Sequence, residues 1–220
     1  MGERKRQTRN GRIAAASFPV GSFALVLLAG LIGGLGAVAA AGLFPGALFS
    51  QLPQAFLPVL WDAVETSVVE EVLFRGVLLW GLVSWYGRSH IRRAVVATAL
   101  VFGVLHLAPF DAFQLAPVLV IQALLKVAQA ALFGLLMGWL VVRSPWFSAS
   151  GWQRARCLAV PIAIHFAFDL LYLGIPLLSG LPTPETYLTG SLSDTILLLI
   201  TTLLLVAAFA SYANSERSCK

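Results

Sequence analysis

Charged residues are scarce in this sequence, and their scarcity excludes an ordinary soluble domain. Only 11% of the 220 residues are Asp, Glu, Lys or Arg, whereas 59% are hydrophobic. Soluble domains carry about 25% charged residues, so the deficit indicates a membrane protein. Cysteine is equally sparse. Its two copies, Cys157 and Cys219, are predicted to lie on the cytoplasmic side, where disulfides rarely persist, so we expect no disulfide framework.

Long apolar runs are what the sequence has instead, and they predict an all-α, polytopic membrane helix bundle. About 20 apolar residues span the bilayer core as a helix. Six candidate spans cover roughly residues 17–43, 57–86, 92–108, 115–142, 157–178 and 192–213. We therefore predict a basic tail at 1–16, one transmembrane domain at 17–213 and a short tail at 214–220, with no separate soluble domain.

Lys and Arg are missing from three alternate connections between these spans. This distribution follows the positive-inside rule, so it predicts that both termini are cytoplasmic, as in a multi-pass protein of a bacterial inner membrane. It also argues against nucleic-acid binding, which places basic residues on one face of a folded domain. The basic residues outside the spans are Arg4, Lys5, Arg6, Arg9, Arg12, Arg88, Arg92, Arg93, Arg143, Arg154, Arg156, Arg217 and Lys220.

We expect the first span to be retained in the mature protein. A basic start before an apolar run also fits a cleaved signal peptide, and residues 37–42 offer small side chains for cleavage. However, the run is longer than the apolar core of about 7–15 residues that signal peptides have.

Several ionisable side chains lie inside or near the spans, where lipid should exclude them. A charge at the bilayer centre costs about 2.5–3.5 kcal/mol on insertion scales, so such groups usually face the bundle interior and indicate a functional site. At a rise of about 1.5 Å per residue, several of them fall at compatible depths near mid-membrane. They are Asp62, Glu65, Glu70, Glu71, Arg75, His106, Lys126, His165 and Asp169.

The second span contains the stretch VEEVLFRG, residues 69–76. Glu71 and Arg75 are four residues apart with the acid first, so on a helix they share a face and can pair. Glu70 points about 100° away from Glu71, which leaves one carboxylate without a partner on its own helix. An interhelical charge network that only fixes packing would also account for these three groups.

Two histidines follow on separate spans. In FGVLH, residues 102–106, Phe102 and His106 share a helix face, and in HFAFD, residues 165–169, His165 and Asp169 do the same. A lone histidine in an apolar helix is more often a hydrogen-bonded packing residue than a catalyst. The second pair fits an orienting hydrogen bond, half of a metal site or a proton relay.

An unpaired glutamate beside a histidine can activate water for hydrolysis. The carboxylate takes a proton while the water attacks a carbonyl carbon, and a second histidine stabilises the oxyanion or protonates the leaving nitrogen. Zinc hydrolysis is the competing chemistry, because Glu70, His106 and His165 would supply three ligands and leave a position for water. The sequence has no H-E-x-x-H motif, so no cofactor is favoured and zinc stays an open alternative.

Three motifs in this order on separate spans, E-E-x-x-x-R, F-x-x-x-H and H-x-x-x-D, resemble the CAAX protease and bacteriocin-processing family. This family is also called the Abi family, and it includes the type II CAAX prenyl endopeptidases. The resemblance covers about residues 57–178. It implies an intramembrane endopeptidase of glutamic type that acts on a membrane-anchored protein or peptide in the lipid bilayer. Glu71 and Arg75 would support its catalytic base.

The resemblance also implies roles for the remaining motif residues. Glu70 would be the base that activates water, with His106 beside it, and His165 and Asp169 would form the oxyanion site. The CAAX-processing members of the family carry Asn where this chain has Asp169. An ionised Asp cannot donate to an oxyanion, so Asp169 would be protonated or would orient His165. This difference weakens the prenyl-protein substrate more than it weakens proteolysis.

Two other function classes compete with the peptidase. A catalytically silent membrane immunity or scaffold protein would keep its fold without needing Glu70. A proton or ion pathway would use the acids in the spans as a relay with Lys126, although the sequence shows no inverted repeat or symmetrically broken helices. The peptidase hypothesis predicts that Glu70, His106 and His165 are each indispensable, whereas Lys126 is not.

Overall fold

A computed structural model describes residues 20–107, 116–181 and 189–218 of the chain, with side chains described up to residue 215. The predicted basic tail at 1–16, the acids Asp111 and Glu185 of the predicted connections, and Cys219 lie outside the described residues. Within them the chain is entirely helical, as predicted. Six long helices occur at the places where the apolar runs predict spans.

The helices are numbered α1 to α6 in chain order. Helix α1 is Val20–Ala40, α3 is Ile91–Leu105, α4 is Pro117–Arg143 and α6 is Leu192–Ser218. Helix α2 is continuous over residues 52–86 and consists of Leu52–Glu71, a π-helical segment Val72–Leu79 and Trp80–Tyr86. Helix α5 is Trp152–Leu178, in which Ala159–Asp169 is followed by a second π-helical segment, Leu170–Gly174.

Helix α2 begins earlier than the predicted span, at Leu52 instead of residue 57. Pro53 lies in the first turn of the helix, where its missing N–H costs nothing. Pro58 lies inside the helix. The VEEVLFRG stretch, residues 69–76, lies in the middle of α2.

Four of the six helices are long and apolar enough to cross a membrane, namely Val20–Ala40, Pro117–Arg143, Trp152–Leu178 and Leu192–Ser215. The other two helices are less apolar or shorter, since α2 carries the acids Asp62, Glu65, Glu70 and Glu71 and α3 has only 15 residues. Both still pack within the same bundle, and α2 exposes apolar side chains such as Val69, Leu73 and Val77 on its outer face. The chain is a helical membrane bundle, and the cytoplasmic location of its termini stays a prediction.

The two ends of the bundle differ in charge. At the basic end, Arg88 after α2 donates a 2.6 Å hydrogen bond to Ser148 before α5, and the guanidinium of Arg143 lies over the ring of Tyr212. At the opposite end, here called the far end, the backbone N–H of Gln51 donates to the carbonyl of Leu178. The far end therefore joins the end of α1, the start of α2 and the end of α5.

Glycines allow close helix contacts around the centre of the bundle. A side chain at Gly103 of α3 would meet the carbonyl oxygen of Val127 on α4, and one at Gly34 of α1 would collide with the carbonyl oxygen of Leu171. Small residues let membrane helices approach backbone to backbone. The contact at Gly34 packs α1 directly onto the π-helical segment that follows Asp169.

Candidate active site

Two π-helical segments begin immediately after predicted site residues. One starts at Val72, after Glu71, and carries Arg75. The other starts at Leu170, after Asp169. Single π-turns inside α-helices are rare and frequently occur at functional sites. Both interruptions therefore mark the same part of the bundle, where α2 and α5 face each other.

The predicted pair of Glu71 and Arg75 is confirmed. Arg75 Nη1 lies 3.0 Å from Glu71 Oε1, and both side chains are buried. The guanidinium also donates to the carbonyl of Gly134 at 3.4 Å and lies over the ring of Phe102, 4.6 Å from its centre. Arg75 is thus fixed by α3 and α4 as well as by its own helix, and it holds the Glu71 carboxylate in one position.

His165 lies between three carboxylates. Its Nδ1 donates to Glu71 Oε1 at 2.9 Å, and its Nε2 lies 3.5 Å from both Glu70 Oε2 and Asp169 Oδ2. The sequence predicted that His165 and Asp169 share a face, which is confirmed. It did not predict that Glu71 binds His165, because the two residues belong to different helices. Glu71 therefore accepts from Arg75 and His165 with the same oxygen.

Glu70 is the more accessible of the two adjacent glutamates. Its side chain is 28% exposed, whereas that of Glu71 is fully buried. The family resemblance placed His106 beside Glu70, but the ionic partner that the structure gives Glu70 is His165. A carboxylate that is partly exposed and has only a 3.5 Å partner can accept a proton from water. Glu71 is fully buried, and its Oε1 already has two partners at about 3 Å.

His106 follows the last residue of α3, and its orientation is set by its own helix. Nδ1 lies 2.8 Å from the carbonyl oxygen of Phe102, so this nitrogen carries the proton and donates it. The two rings pack with their centres 4.5 Å apart. The fixed tautomer leaves Nε2 as a hydrogen-bond acceptor. His106 lines a small cavity of about 40 Å³ that His165 and Asp169 also line.

Lys126 of α4 lines this small cavity as well, although the sequence gave it no role at the site. Its side chain is buried, and Nζ donates to Gln129 Oε1 at 3.2 Å. Gln129 in turn donates to Thr201 of α6 at 2.6 Å, and the ring of Tyr172 lies 5.3 Å from the ammonium. Lys126 also interacts electrostatically with Asp169 and Glu70. Lys126 is the second basic residue inside a predicted span, after Arg75. This feature of the sequence could have indicated that Lys126 belongs to the site.

A much larger cavity, of about 770 Å³, meets the small one at Asp169, Tyr172 and Leu173, which line both. Its wall is formed by the end of α1, the first half of α2, the end of α5 and the start of α6. Asp62 and Glu65 of α2 line it too. The cavity is therefore large enough for several residues of a peptide.

Two observations on the described side chains bear on the zinc alternative. No group of three or more His, Cys, Asp or Glu residues in the described ranges is placed to hold a metal ion. His165, one of the three predicted ligands, directs Nδ1 to Glu71 and Nε2 to two further carboxylates. Its nitrogens are thus engaged by acids, and no step below is assigned to a metal.

Comparison with known proteins identifies the family. Residues 52–171 match the family model described as type II CAAX prenyl endopeptidase, Rce1-like. No curated protein and no solved structure matches the chain. The matched segment is more than half of the chain and contains all six predicted site residues, from Glu70 to Asp169. The chain therefore belongs to the Rce1-like family, which confirms the family that the sequence motifs indicated.

Proposed function

We propose that this chain is an intramembrane endopeptidase that hydrolyses a peptide bond of a membrane-associated protein or peptide with water activated by Glu70. The observation that carries the proposal is a cluster of Glu70, Glu71, Arg75, His165 and Asp169, in which Asp169 also lines the inner end of a peptide-sized cavity. Family membership supports proteolysis in general. The protein would be a six-span, multi-pass protein of a bacterial inner membrane with both termini in the cytoplasm.

Glu70 is the proposed base, because it is the more exposed of the two adjacent glutamates and its partner is distant. It takes a proton from water as the water oxygen attacks the carbonyl carbon of the scissile bond. His106 accepts a hydrogen bond from the same water through Nε2, since Nδ1 is engaged by the carbonyl of Phe102. Such a positioned base contributes about 10²–10⁴-fold to the rate.

His165 is the proposed acid for the leaving nitrogen. Its Nδ1–H is held by Glu71, which Arg75 holds in turn, so Nε2 has a fixed direction toward Glu70 and Asp169. A proton on Nε2 is stabilised by these two carboxylates and can pass to the amine when the C–N bond breaks. The roles of Glu71 and Arg75 are to position His165.

Lys126 is the proposed donor to the oxyanion of the tetrahedral intermediate, and this role replaces the sequence-based expectation that Lys126 is dispensable. The resemblance assigned this role to His165 and Asp169, but an ionised carboxylate at 169 accepts hydrogen bonds and does not donate them. The ammonium of Lys126 lines the same small cavity and carries three N–H groups, one of which donates to Gln129. In a site that excludes water, such a donor stabilises developing negative charge strongly.

A cleavage assay in detergent tests the proposal. Membrane-anchored peptides are presented to the wild-type protein and to Glu70→Gln, each with and without a zinc chelator. We expect cleavage by the wild type that survives chelation and is lost in Glu70→Gln. Cleavage that disappears on chelation would replace the proposed chemistry with zinc hydrolysis. A folded wild type that cleaves nothing, and whose phenotype Glu70→Gln retains, would support the catalytically silent membrane protein instead.

A further inference from the structure

The large cavity reaches the site from the far end of the bundle. Its lining residues come from the end of α1, such as Ala40 and Ala41, and from the first half of α2. They also include Leu181 after α5 and Ser193 at the start of α6. Ala40, Ala41 and Ser193 are exposed, so the described residues leave the cavity open at this end.

The basic end, in contrast, is closed by packed apolar side chains. A buried cluster there joins the end of α2, the start of α3, the end of α4 and the start of α5. It consists of Leu79, Val83, Ala94, Val95, Val141, Phe147, Cys157 and Leu158. Protein interiors are packed as densely as organic crystals, so this cluster closes the basic end within the described residues. The large cavity, whose inner end is lined by Asp169, opens toward the far end instead.

The wall of the large cavity is acidic. Its charged lining residues are Asp62, Glu65, Asp169 and Asp194, and no Lys, Arg or His of the described residues lines it. Asp194 is engaged locally, because Thr189 donates a 2.6 Å hydrogen bond to its carboxylate. Asp62 and Glu65 are exposed and face the cavity from α2. Carboxylates between apolar walls attract a positively charged group.

A second observation indicates a ligand at the inner end of this cavity. Asp169 is only 8% exposed, and its Oδ2 makes no hydrogen bond with the described residues. Its nearest ionic neighbour is His165 Nε2, at 3.5 Å. Buried carboxylate oxygens are normally hydrogen-bonded. Asp169 lines the large cavity, so the backbone N–H of a peptide in this cavity would donate the hydrogen bond that Oδ2 lacks.

From these features we propose that the substrate is an extracytoplasmic segment that carries Lys or Arg close to the scissile bond. The segment enters the large cavity from the far end in extended form and presents its cation to Asp62 and Glu65. This inference rests on the proposed peptidase function. It also relies on the positive-inside rule, which places the arginine-bearing end in the cytoplasm and the cavity mouth outside.

The spacing along α2 sets the position of the basic residue. Glu65 and Asp62 lie five and eight residues before Glu70, or about 7.5 and 12 Å along the helix axis. An extended peptide advances about 3.3 Å per residue. The cation is therefore expected about two to four residues from the scissile bond. Cytoplasmic proteins with a C-terminal prenyl group, the substrates named by the matched family, would arrive at the closed end.

A charge exchange tests the recognition step. Peptides that carry Lys, norleucine or Glu three residues from the cleaved bond are compared on the wild type and on Asp62→Lys/Glu65→Lys. Both carboxylates are exposed, so we expect about a fivefold higher kcat/KM for Lys than for norleucine on the wild type. The double variant should reverse the order and prefer Glu. Trp61→Phe, which changes an outward-facing neighbour, should keep the wild-type order. Equal rates for all three peptides would overturn the recognition step.

Membrane vesicles test the side of entry. The full-length protein is expressed in a bacterial inner membrane, and right-side-out and inside-out vesicles receive the Lys peptide from outside. We expect cleavage in right-side-out vesicles, with cleavage in inside-out vesicles only after permeabilisation. The reverse pattern would refute extracytoplasmic entry. The detergent-solubilised wild-type protein serves as the reference, because the Lys peptide reaches it from both sides. Absence of cleavage in this sample would refute the peptidase function itself, whereas cleavage in this sample with the reverse vesicle pattern would refute only the side of entry.

Discussion

Replacing Lys126 with Met removes one ammonium from the small cavity while nearly keeping the volume of the side chain. If this ammonium donates to the oxyanion, its loss affects the transition state far more than the bound substrate. Removing one such donor costs about 10²–10³-fold in kcat, or about 2.7–4 kcal/mol. We therefore expect Lys126→Met to lower kcat by this factor and to change KM by less than about threefold. Steady-state cleavage of a fluorogenic peptide in detergent measures both constants.

A matched control separates this role from a loss of helix packing. Gln122 lies four residues before Lys126 on α4 and is also buried, but its amide binds the chain around Ser191 and does not line the small cavity. Gln122→Met should therefore lower thermal stability and leave kcat within about threefold of the wild type. A Lys126→Met protein with nearly wild-type kcat would refute the proposed role. So would full recovery of kcat in Lys126→Met/Asp169→Ala, because it would show that Lys126 only balances the charge of Asp169.

Three further changes address the packing and chemistry of the site. Glu71→Gln leaves the buried guanidinium of Arg75 without its counter-ion, so we expect a loss of about 3–5 kcal/mol of stability, measured by thermal unfolding in detergent. Gly34→Val should separate α1 from the carbonyl of Leu171 and lower both the melting temperature and kcat, whereas Gly81→Ala, where the structure leaves open space, should change neither. Dialysis of the wild type against a zinc chelator should leave kcat unchanged.

The sequence predicted the local part of the structure well, because helical spacing is a local property. A separation of four residues placed Glu71 against Arg75 and His165 against Asp169, and both pairs are present. The six apolar runs likewise predicted six helices within a few residues. Contacts between helices could not be predicted in this way. They depend on crossing angles and on close approaches such as the one at Gly34, which no single-sequence pattern defines.

Lys126 illustrates this limit. The depth argument placed it in the membrane, and the cost of burying a cation required a partner, but nothing in the spacing along α4 indicated which helix would supply one. The structure brings the ammonium to the same cavity as His106 and His165 because α3 and α4 approach closely at Gly103. The two π-helical segments could not be predicted from the sequence either, since most of their residues are apolar, as in the neighbouring α-helical turns.

The charges of the cluster explain why Lys126 and Asp169 occur together. Three carboxylates, Glu70, Glu71 and Asp169, face two permanent cations, Arg75 and Lys126, and the sum is neutral when His165 carries its second proton. A net charge inside a membrane is costly, so this sum of charges favours the doubly protonated form of His165. In this form His165 can donate a proton to the leaving nitrogen.

The same charge balance predicts that substitutions of Lys126 and Asp169 have non-additive effects on the free energy of unfolding. Lys126→Met leaves one carboxylate in excess, and Asp169→Asn leaves one cation in excess, so each single change should lower the melting temperature. The double variant restores neutrality and should be more stable than the sum of the single changes by about 1–3 kcal/mol, as expected for residues in one charge network. Thermal unfolding of the four proteins in the same detergent measures this coupling energy. Additive effects would show that Lys126 and Asp169 do not share one charge network, and the neutral count that places a proton on His165 would then be wrong.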